Sequence, residues 1–442
     1  MNKEDLKEKV CSSIDDHSEE IIEVGESISR NPELGYKEFE TSRLVIEKLE
    51  GLGLVPQRNL AITGVKAKLI NQSNAPTVAL LGELDSVVCF DHPRCNPNTG
   101  AAHACGHNAQ IAGMLGTAWG LIESGVAEKL GGNLVWMAVP AEEYVEIEFR
   151  LQLRSEGKIE FLGGKQELIR LGVFDDVDIS MMFHTRELRS PQKVLLEETS
   201  NGFVAKAVRY TGKEAHAGGA PHEGVNALNA AVLGIIGVHA QRETFQDKDH
   251  IRVHPIITRG GDLVNIIPAH VSLETYVRGG TIEAILDASK KVNRALEAGA
   301  LAIGAEVEIT EVPGYLPYQG DKEIEKLFFE NSARLVGVQS IGTSEFGGGS
   351  TDMGDVSHVI PSLQPYVGGA GGRSHSRDYL ITDPKLAYIG SAKMLAMTVV
   401  DLLWNGGRAA TEICSKFVPK ISKKEYSDFW RRVIRQATST GD

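Results

Sequence analysis

The sequence predicts an α/β protein whose mostly parallel sheet, flanked by helices, is interrupted by a second and smaller domain. Over about the first 200 residues, short apolar runs alternate with stretches of helical apolar spacing, which is typical of parallel strands connected by helices. The pattern then changes to β-α-β-β-α-β, and helices and one more apolar run follow it. The chain has 442 residues, about three times the commonest domain size, so two domains also suit its length.

The first domain begins with helices and continues with buried strands. Helical spacing of apolar residues covers 3–53, with an interruption at NPELGY. Three short apolar runs then predict strands, and a helical pattern between the first two predicts a helix. The predicted strands span 77–85, 133–143 and 177–185, and the predicted helix spans 108–124.

The three predicted strands all end in side chains that can bind metal or carry protons. Asp85 ends the first strand, the pair Glu142 and Glu143 ends the second, and His184 ends the third. Ligands in open α/β sheets bind outside the carboxyl ends of the strands. We therefore expect these side chains to converge on one crevice.

The second domain is predicted to be inserted into the first. Its strands alternate with two long helical patterns, and its boundaries lie at 199–312. The first domain is then discontinuous, over 1–198 and 313–442, with a last long helix near 384–405. The predicted elements of the inserted domain are strands at 203–213, 251–261, 264–280 and 305–312 and helices at 224–243 and 281–304.

Composition and charge exclude several classes of protein. With 42% hydrophobic and 24% charged residues, and no apolar run near the ~18 residues of a membrane helix, neither disorder nor a membrane span is expected. The net charge of −13 opposes binding to nucleic acid or anionic lipid. The first residues alternate charges where a secretory signal would be apolar, so we expect a cytoplasmic protein. The five cysteines are irregularly spaced, which argues against a disulfide framework.

The densest group of chemically active side chains is HACGHN (103–108). Cys105 and His107 stand two apart just before a predicted helix, so both can reach a transition metal, and the helix N-terminus favours the thiolate. A lone Cys-x-His pair is more often a coincidence of sequence than a metal-binding motif. The adjacent Glu142 and Glu143 add support, because one carboxylate can hold metal while the other takes a proton from water. Alone, that pair is equally consistent with a solvated acidic loop.

Two histidines complete the candidate ligand set. His184 ends the third predicted strand, and His375 follows a glycine-rich loop, although either alone is more often a core or surface histidine. The full set is too large for one tetrahedral site, whereas two metal ions with a shared bridging ligand would leave room for water. The sequence therefore predicts a dinuclear hydrolase with the candidate ligands Cys105, His107, Glu143, His184 and His375.

These motifs resemble those of the dinuclear metallopeptidases and amidohydrolases that include carboxypeptidase G, aminoacylases and indoleacetyl-amino-acid hydrolases. The resemblance covers nearly the whole chain, from NPELGYKEFET through GELD, HACGHN, PAEE and FHT to GSTDMGD and SHS. The inserted domain contributes GKEAHAGGAPHEGVNALNA and NIIPAHVSLETYVRG. HACGHN and GSTDMGDVSHVIP are most similar to the branch of aminobenzoyl-glutamate hydrolase and related dipeptidases. The resemblance implies a zinc-exopeptidase-like first domain with a ferredoxin-like lid that dimerises.

The resemblance also implies a role for each candidate residue of the first domain. Cys105 is implied to bridge two metal ions, and Glu142 to be the general base. Asp85 would orient a ligand from behind, since a carboxylate can fix an imidazole tautomer. The implied terminal ligands are His107, Glu143, His184 and His375.

Three residues of the lid are implied to contact the substrate. His216 is similar to the histidine that approaches the substrate carbonyl. The resemblance implies that, in a dimer formed through the lid, it does so in the site of the partner subunit. Asn265 and Arg278 resemble the pair that grips the substrate carboxylate, for which a planar guanidinium is suited. Without the resemblance, Arg278 would be interpreted as a surface arginine of a strand.

Two segments depart from the pattern of the family. GELD has Glu83 where aspartate is commoner, and the nearby Cys89, His92 and Cys95 could suggest a structural zinc site but lack a fourth ligand. The stretch 146–168 is longer than the family usually has between PAEE and the next strand. It could reshape the pocket or an oligomer contact.

The predicted activity is hydrolysis by metal-activated water of an amide bond in N-acyl or aroyl amino acids or in aminobenzoyl-glutamate-like conjugates. Dipeptides are the alternative substrates, and a non-catalytic metal-binding or ligand-binding protein is a weaker alternative, since it would need no base. The predicted cofactor is two divalent metal ions, and the ligands favour zinc but also suit manganese, cobalt or nickel. The expected partners are a small amide with a free carboxylate and a second copy of the chain, bound through the lid.

Overall fold

The computed structural model describes residues 2–438, which form two compact units. The first unit runs to Glu198 and resumes over 319–347 and 355–424. The second unit comprises 199–318, 348–354 and 425–438 of the described residues. From the sequence, we predict that the chain returns to the first domain at 313. The segments 348–354 and 425–438 would then belong to the first domain. The second unit is therefore less continuous in sequence than predicted.

A six-stranded sheet forms the centre of the first unit. Its strands are β1 (Gln57–Leu60), β2 (Gly64–Leu69), β3 (Thr77–Glu83), β6 (Asn133–Val139), β7 (Ile179–Met181) and β16 (Ser362–Leu363). They lie in the order β1-β2-β6-β3-β7-β16. The last four of these are mutually parallel, whereas β1 and β2 are antiparallel to their neighbours. Both β3 and β6 are buried along their whole length, as expected for parallel strands covered on both faces.

Shorter strands extend the first unit around this sheet. These strands are β4 (Val87–Val88), β5 (Ala101–Ala102), β8 (His184–Thr185), β9 (Val194–Ser200), β15 (Ile341–Gly347), β17 (Tyr366–Val367), β18 (Ala370–Gly371) and β19 (Leu380–Ile381). Four of them form a sheet with the order β15-β9-β17-β8, and the pairs β4-β5 and β18-β19 are antiparallel.

Helices bury the apolar faces of the central sheet. Helix α4 is buried along nearly all of its length, and it contributes to a core with Leu80 of β3 and Trp136 of β6. The helices outside the inserted segment are α1 (Lys3–Asp16), α2 (Ser18–Arg30), α3 (Phe39–Gly51), α4 (His107–Glu123), α5 (Ile147–Ser155), α6 (Gly164–Arg170), α9 (Lys322–Val336), α10 (Met353–Val359) and α11 (Ser391–Lys416). The mostly parallel sheet flanked by helices confirms the predicted fold class.

One helical stretch, Lys385–Lys416, is long and apolar enough to cross a membrane by length and composition. Its most apolar window is 83% buried within the protein, and it packs against α1, α4 and α9. Its regular helix is also interrupted at Trp404–Gly407, where three residues have positive φ angles. This stretch has the properties of a core helix, and the predicted helix near 384–405 ends at the interruption.

The second unit contains an antiparallel sheet with the order β11-β13-β10-β14, and β12 also pairs with β13. Helices α7 and α8 pack on each other and on β10 and β13 around buried residues such as Leu273 and Leu296. Thr281 caps α8 by accepting the Ala284 N–H. This arrangement confirms the predicted β-α-β-β-α-β order. The elements are β10 (Gly202–Thr211), α7 (Ala227–Ala240), β11 (Arg252–Val253), β12 (Ile256–Arg259), β13 (His270–Gly279), α8 (Ile282–Ile303), β14 (Glu306–Pro313) and the terminal α12 (Tyr426–Thr438).

Candidate metal centre

The HACGHN segment turns from β5 into α4 through a glycine in the left-handed conformation. Gly106 has φ +92°, a left-handed conformation that side chains rarely adopt, and it is the N-cap of α4. A Cβ atom at this position would overlap the Thr185 hydroxyl and the Tyr379 hydroxyl. The turn places Cys105 just before the helix and His107 as its first residue. Both side chains therefore start at the carboxyl end of the sheet.

Cys105 belongs to two clusters of candidate ligands. Its Sγ lies 3.3 Å from His184 Nε2, and His107 completes the first cluster, in which all ligand atoms lie within 4.8 Å of one another. Its Sγ also lies 3.3 Å from His375 Nε2. Glu143 completes the second cluster, with Oε1 3.1 Å from His375 Nε2. One sulfur atom shared by two clusters is the geometry that a bridging thiolate between two metal ions requires.

A third cluster contains a residue that the sequence did not assign to the site. Glu83 Oε2 lies 3.0 Å from His107 Nε2, and Glu142 Oε2 lies 3.7 Å from the same nitrogen. The three side chains form a further group with the spacing of metal ligands. In the sequence, Glu83 is identified only as a glutamate where aspartate is commoner. Its position two residues before Asp85, at the end of the same strand, could have indicated that it belongs to the site.

Asp85 orients two of the candidate ligands from behind. Its backbone oxygen lies 2.9 Å from His107 Nδ1, and its Oδ1 lies 3.2 Å from the same atom. Its Oδ2 accepts the Glu143 N–H at 2.8 Å. In the neutral ring, His107 Nδ1 therefore carries the proton, and Nε2 is the nitrogen that can bind a metal ion. His184 is oriented in the same way, since its Nδ1 donates to the Thr185 oxygen at 2.8 Å.

The site holds strongly perturbed ionisable groups. Burial alone would raise the pKa of the Cys105 thiol and Glu143 adds to this, but three neighbouring imidazoles lower it to about 6. Burial would also raise the pKa of the Glu143 carboxyl, yet His375 brings it down to about 2. In turn, Glu143 and the Cys105 thiolate raise the pKa of His375 well above its usual range. Without metal, the thiolate and carboxylate are therefore paired with protonated imidazole.

The side chains of this site are better suited to binding a cation than to forming hydrogen bonds with one another. Within the described residues, the buried atoms His107 Nε2 and Glu143 Oε1 make no hydrogen bond of good geometry, although Glu83 and His375 lie 3.0 and 3.1 Å from them. Buried polar atoms are rarely left unpaired, because each costs about 1–3 kcal/mol. Divalent metal ions held by the Cys105 clusters would engage both atoms. Ligation requires deprotonated histidines, so metal binding should release protons.

We expect alkylation of Cys105 in the metal-free protein to be half-maximal near pH 6. The thiolate is the reactive form, and a pKa lowered to about 6 keeps it present at neutral pH and removes it only as the pH falls below that value. Cys414 provides an internal control, because burial raises the pKa of its thiol to about 11. Peptide mass spectrometry after alkylation between about pH 5 and 8 measures both residues.

Bound metal should protect Cys105 in the same experiment, since two cations on one sulfur would lower its nucleophilicity and block the approach of the reagent. Cys414 should react at an unchanged rate with and without metal. Equal alkylation of Cys105 in both forms would remove its bridging role.

The other cysteine-histidine group near GELD has a different arrangement. His92 Nε2 lies 2.8 Å from the backbone oxygen of Tyr379, and its Nδ1 accepts the Arg94 N–H at 3.1 Å. Cys95 Sγ contacts the backbone oxygen of Phe90. Both ring nitrogens of His92 are therefore committed to backbone hydrogen bonds, which leaves neither for a metal ion.

The three predicted substrate-binding residues belong to the second unit, whereas the candidate metal ligands belong to the first. His216 and Asn265 are exposed and adjacent, since the neighbouring Ala217 donates its N–H to the Asn265 backbone oxygen at 2.9 Å. Arg278 lies on β13, where it donates to the Ser350 hydroxyl at 2.8 Å. Its guanidinium carbon lies 5.4 Å from the ring centre of Phe203, which restricts its orientation.

Comparisons with known proteins relate the chain to peptidases and amidohydrolases. Residues 200–303 match a family described as the peptidase dimerisation domain. A Xaa-Arg dipeptidase from Mus musculus is 30% identical over 419 residues, which cover 90% of this chain and 89% of the relative. An IAA-amino acid hydrolase from Arabidopsis thaliana is 26% identical over 79% of this chain and 77% of its own length. A dinuclear metal-binding peptidase of the M20 family from Bacillus subtilis shares the fold, with a TM-score of 0.62, 21% identity and coverage of 88% of this chain and 99% of that one.

Proposed function

The chain belongs to the M20 family of peptidases and amidohydrolases, and on this premise we propose that it hydrolyses an amide bond N-terminal to an amino acid with a free carboxylate. The observation that carries the proposal is the Cys105 sulfur shared by two ligand clusters, with Glu142 beside them. The proposed substrates are N-acyl or aroyl amino acids and aminobenzoyl-glutamate-like conjugates. Dipeptides are the second candidates, favoured by the 30% identity to a Xaa-Arg dipeptidase.

The proposed cofactor is a pair of divalent metal ions, for which thiolate and imidazole ligands favour zinc. The residues that would hold one ion are Cys105, His107 and His184, and those that would hold the other are Cys105, Glu143 and His375. When bound, the ions would polarise the scissile carbonyl and lower the pKa of a water molecule, so that it can lose a proton and attack the carbonyl carbon.

Glu142 is the proposed general base. Its side chain is mostly buried, with 8% of the residue exposed, and its Oε2 lies near His107. It would take one proton from the attacking water and deliver that proton to the leaving nitrogen as the amide bond breaks. The products are then a carboxylic acid and a free amine, and Glu142 returns to its carboxylate form.

His216 is proposed to donate a hydrogen bond to the substrate carbonyl oxygen. Its Nδ1 accepts the N–H groups of Gly218 and Gly219, at 3.1 and 2.9 Å. The neutral ring therefore carries its proton on Nε2, which is a donor. A donor placed at the oxygen stabilises the negative charge that develops there. We propose that it acts on the site of the partner in a homodimer formed through the second unit.

Arg278, together with Asn265, is proposed to bind the carboxylate of the substrate. The test is hydrolysis of dipeptides and N-acyl amino acids, each as a free acid and as its carboxamide, by protein loaded with one divalent metal at a time. We expect cleavage of free acids, and loss of that activity on chelation. Arg278→Ala should lower kcat/KM for the free acid by about 10- to 100-fold, because hydrogen bonds between charged groups are lost.

The carboxamide serves as the matched control, since it presents no charge to Arg278. We expect the variant and the wild type to cleave it at similar, low rates. Equal losses on acid and carboxamide would leave Arg278 with a structural role only. Absence of metal-dependent cleavage across the whole panel would refute the proposed function itself.

A further inference from the structure

The segment 146–168, longer than expected between the glutamate pair and the next strand, contains two completely buried cations. It forms α5 and the start of α6, and the side chains of Arg150 and Lys165 are both 0% exposed. Burying a charge costs several kcal/mol unless it is paired and hydrogen-bonded. Lys165 is ion-paired with Glu83, and Arg150 donates hydrogen bonds to backbone oxygens, one of which belongs to Glu143.

Lys165 fixes Glu83 against His107. Its Nζ lies 2.5 Å from Glu83 Oε1, and this ion pair is buried on both sides. Gln110 holds the same carboxylate from α4, because its Nε2 donates to Glu83 Oε2 at 2.8 Å and its Oε1 accepts the Glu83 N–H at 3.0 Å. The carboxylate therefore has one orientation, in which Oε2 faces His107 Nε2 at 3.0 Å.

Arg150 fixes the backbone that carries the glutamate pair. Its guanidinium donates to the backbone oxygens of Ala141, Glu143 and Leu162, at 3.3, 2.5 and 2.8 Å. Ala141 has φ +52°, a strained conformation that needs outside support. Its N–H is held from the other side by Glu38 Oε1 at 2.8 Å.

The absence of a side chain at Gly35 leaves space for the Arg150 guanidinium. A Cβ atom at Gly35 would overlap Arg150 Nη2, so only glycine fits there without displacing the arginine. Tyr36 covers the guanidinium, with its ring centre 5.4 Å from Arg150 Cζ. Residues from an early turn of the chain therefore complete the enclosure of Arg150.

We propose that the segment 146–168 is a positioning element of the metal centre, in which Lys165 acts through Glu83 and Arg150 acts through the backbone of Glu143. Buried ion pairs are weak evidence for stability, because apolar residues of similar volume often stabilise a fold as well or better. Orientation of groups beside a metal is a role that apolar residues cannot fill. The inference rests on the proposed function only in requiring that this site binds metal.

The test compares Lys165→Met with a matched control, Lys206→Met. Lys206 forms an equally buried ion pair with Glu311 in the second unit. Each substitution leaves a buried carboxylate without its lysine, so both should lower thermal stability. We expect Lys165→Met to weaken Zn²⁺ affinity by about 10- to 100-fold, measured by competition with a chromophoric chelator, and Lys206→Met to leave it unchanged.

A second pair of variants tests the other cation. Arg150→Lys keeps a positive charge and part of the hydrogen bonding, whereas Arg150→Met removes both. We expect Zn²⁺ affinity to fall in the order wild type, Arg150→Lys, Arg150→Met, because the ligand Glu143 loses its support stepwise. For any substrate that is cleaved, kcat should fall more than KM rises, since the base Glu142 lies on the same loop.

The outcomes separate the inference from the proposed function. Wild-type protein that binds no Zn²⁺ would refute the proposed function. Wild-type binding with equal affinities in Lys165→Met and Lys206→Met would overturn the positioning role alone. If Lys165→Met does not fold, Gln110→Met removes the other support of Glu83 without leaving an unpaired charge. Unchanged Zn²⁺ affinity in that variant would likewise overturn the proposal, and a several-fold loss would support it.

Discussion

Replacement of Glu142 by glutamine is expected to lower kcat by about 10²- to 10⁴-fold, the usual contribution of a general base. The amide cannot accept a proton from water, but it has nearly the same shape as the carboxylate. Glu142 belongs only to the third cluster, with Glu83 and His107, and to neither of the two clusters that share Cys105 and are proposed to hold the metal ions. The variant should therefore keep its metal, which elemental analysis of the purified protein measures directly.

Glu143→Ala is the matched control for this experiment, because it removes the neighbouring carboxylate from the cluster with Cys105 and His375. This variant should lose metal as well as activity. Its loss of turnover would then follow from the missing ion, whereas that of Glu142→Gln would not. Equal metal loss in both variants would contradict the division of roles between the two glutamates.

A mixture of two inactive variants is expected to recover about a quarter of the wild-type activity. If His216 acts on the site of the partner, His216→Ala and Glu142→Ala homodimers are both dead. A mixed dimer, however, has one site with both lesions and one with neither. Random reassociation of equal amounts makes about half of the dimers mixed, and half of the sites in those dimers are intact. Unfolding and refolding the two variants together, followed by an activity assay, measures the recovery.

Each variant refolded alone serves as the control, and wild type refolded by the same protocol gives the reference activity. His216→Ala mixed with wild type provides a second control, because it forms no doubly damaged site. A mixture that stays as inactive as its components, while wild type recovers, would mean that His216 does not act across a dimer.

The main elements of the fold and the location of the site were predictable from the sequence. Apolar runs with metal-binding or proton-carrying ends are local patterns, and parallel topology brings such ends together. For this reason the predicted ligands Cys105, His107 and His184 could be expected to lie near one another, as the structure places them. Their roles as ligands stay a prediction that metal analysis must test.

The support of the site was not predictable, because it depends on partners distant in sequence. Glu83 and Lys165 are 82 positions apart, and no local pattern connects them. A charged residue in a helix is normally exposed, so the sequence would place Arg150 and Lys165 on the surface. The sequence also did not predict that 348–354 belongs to the second unit, beyond the predicted end at 312. This assignment, too, depends on tertiary packing between residues distant in sequence.

The left-handed turn at Gly106 has a consequence for how this protein would respond to saturation mutagenesis. Its neighbours Cys105 and His107 are candidate ligands, but Gly106 offers no ligand atom and needs only to lack a side chain, because Thr185 and Tyr379 fill the space beside it. Every substitution there should appear as damaging as loss of a ligand itself. A map of tolerated substitutions would then show three consecutive intolerant positions. The middle one would be intolerant for steric reasons alone, because Gly106 shapes the turn and takes no part in the reaction.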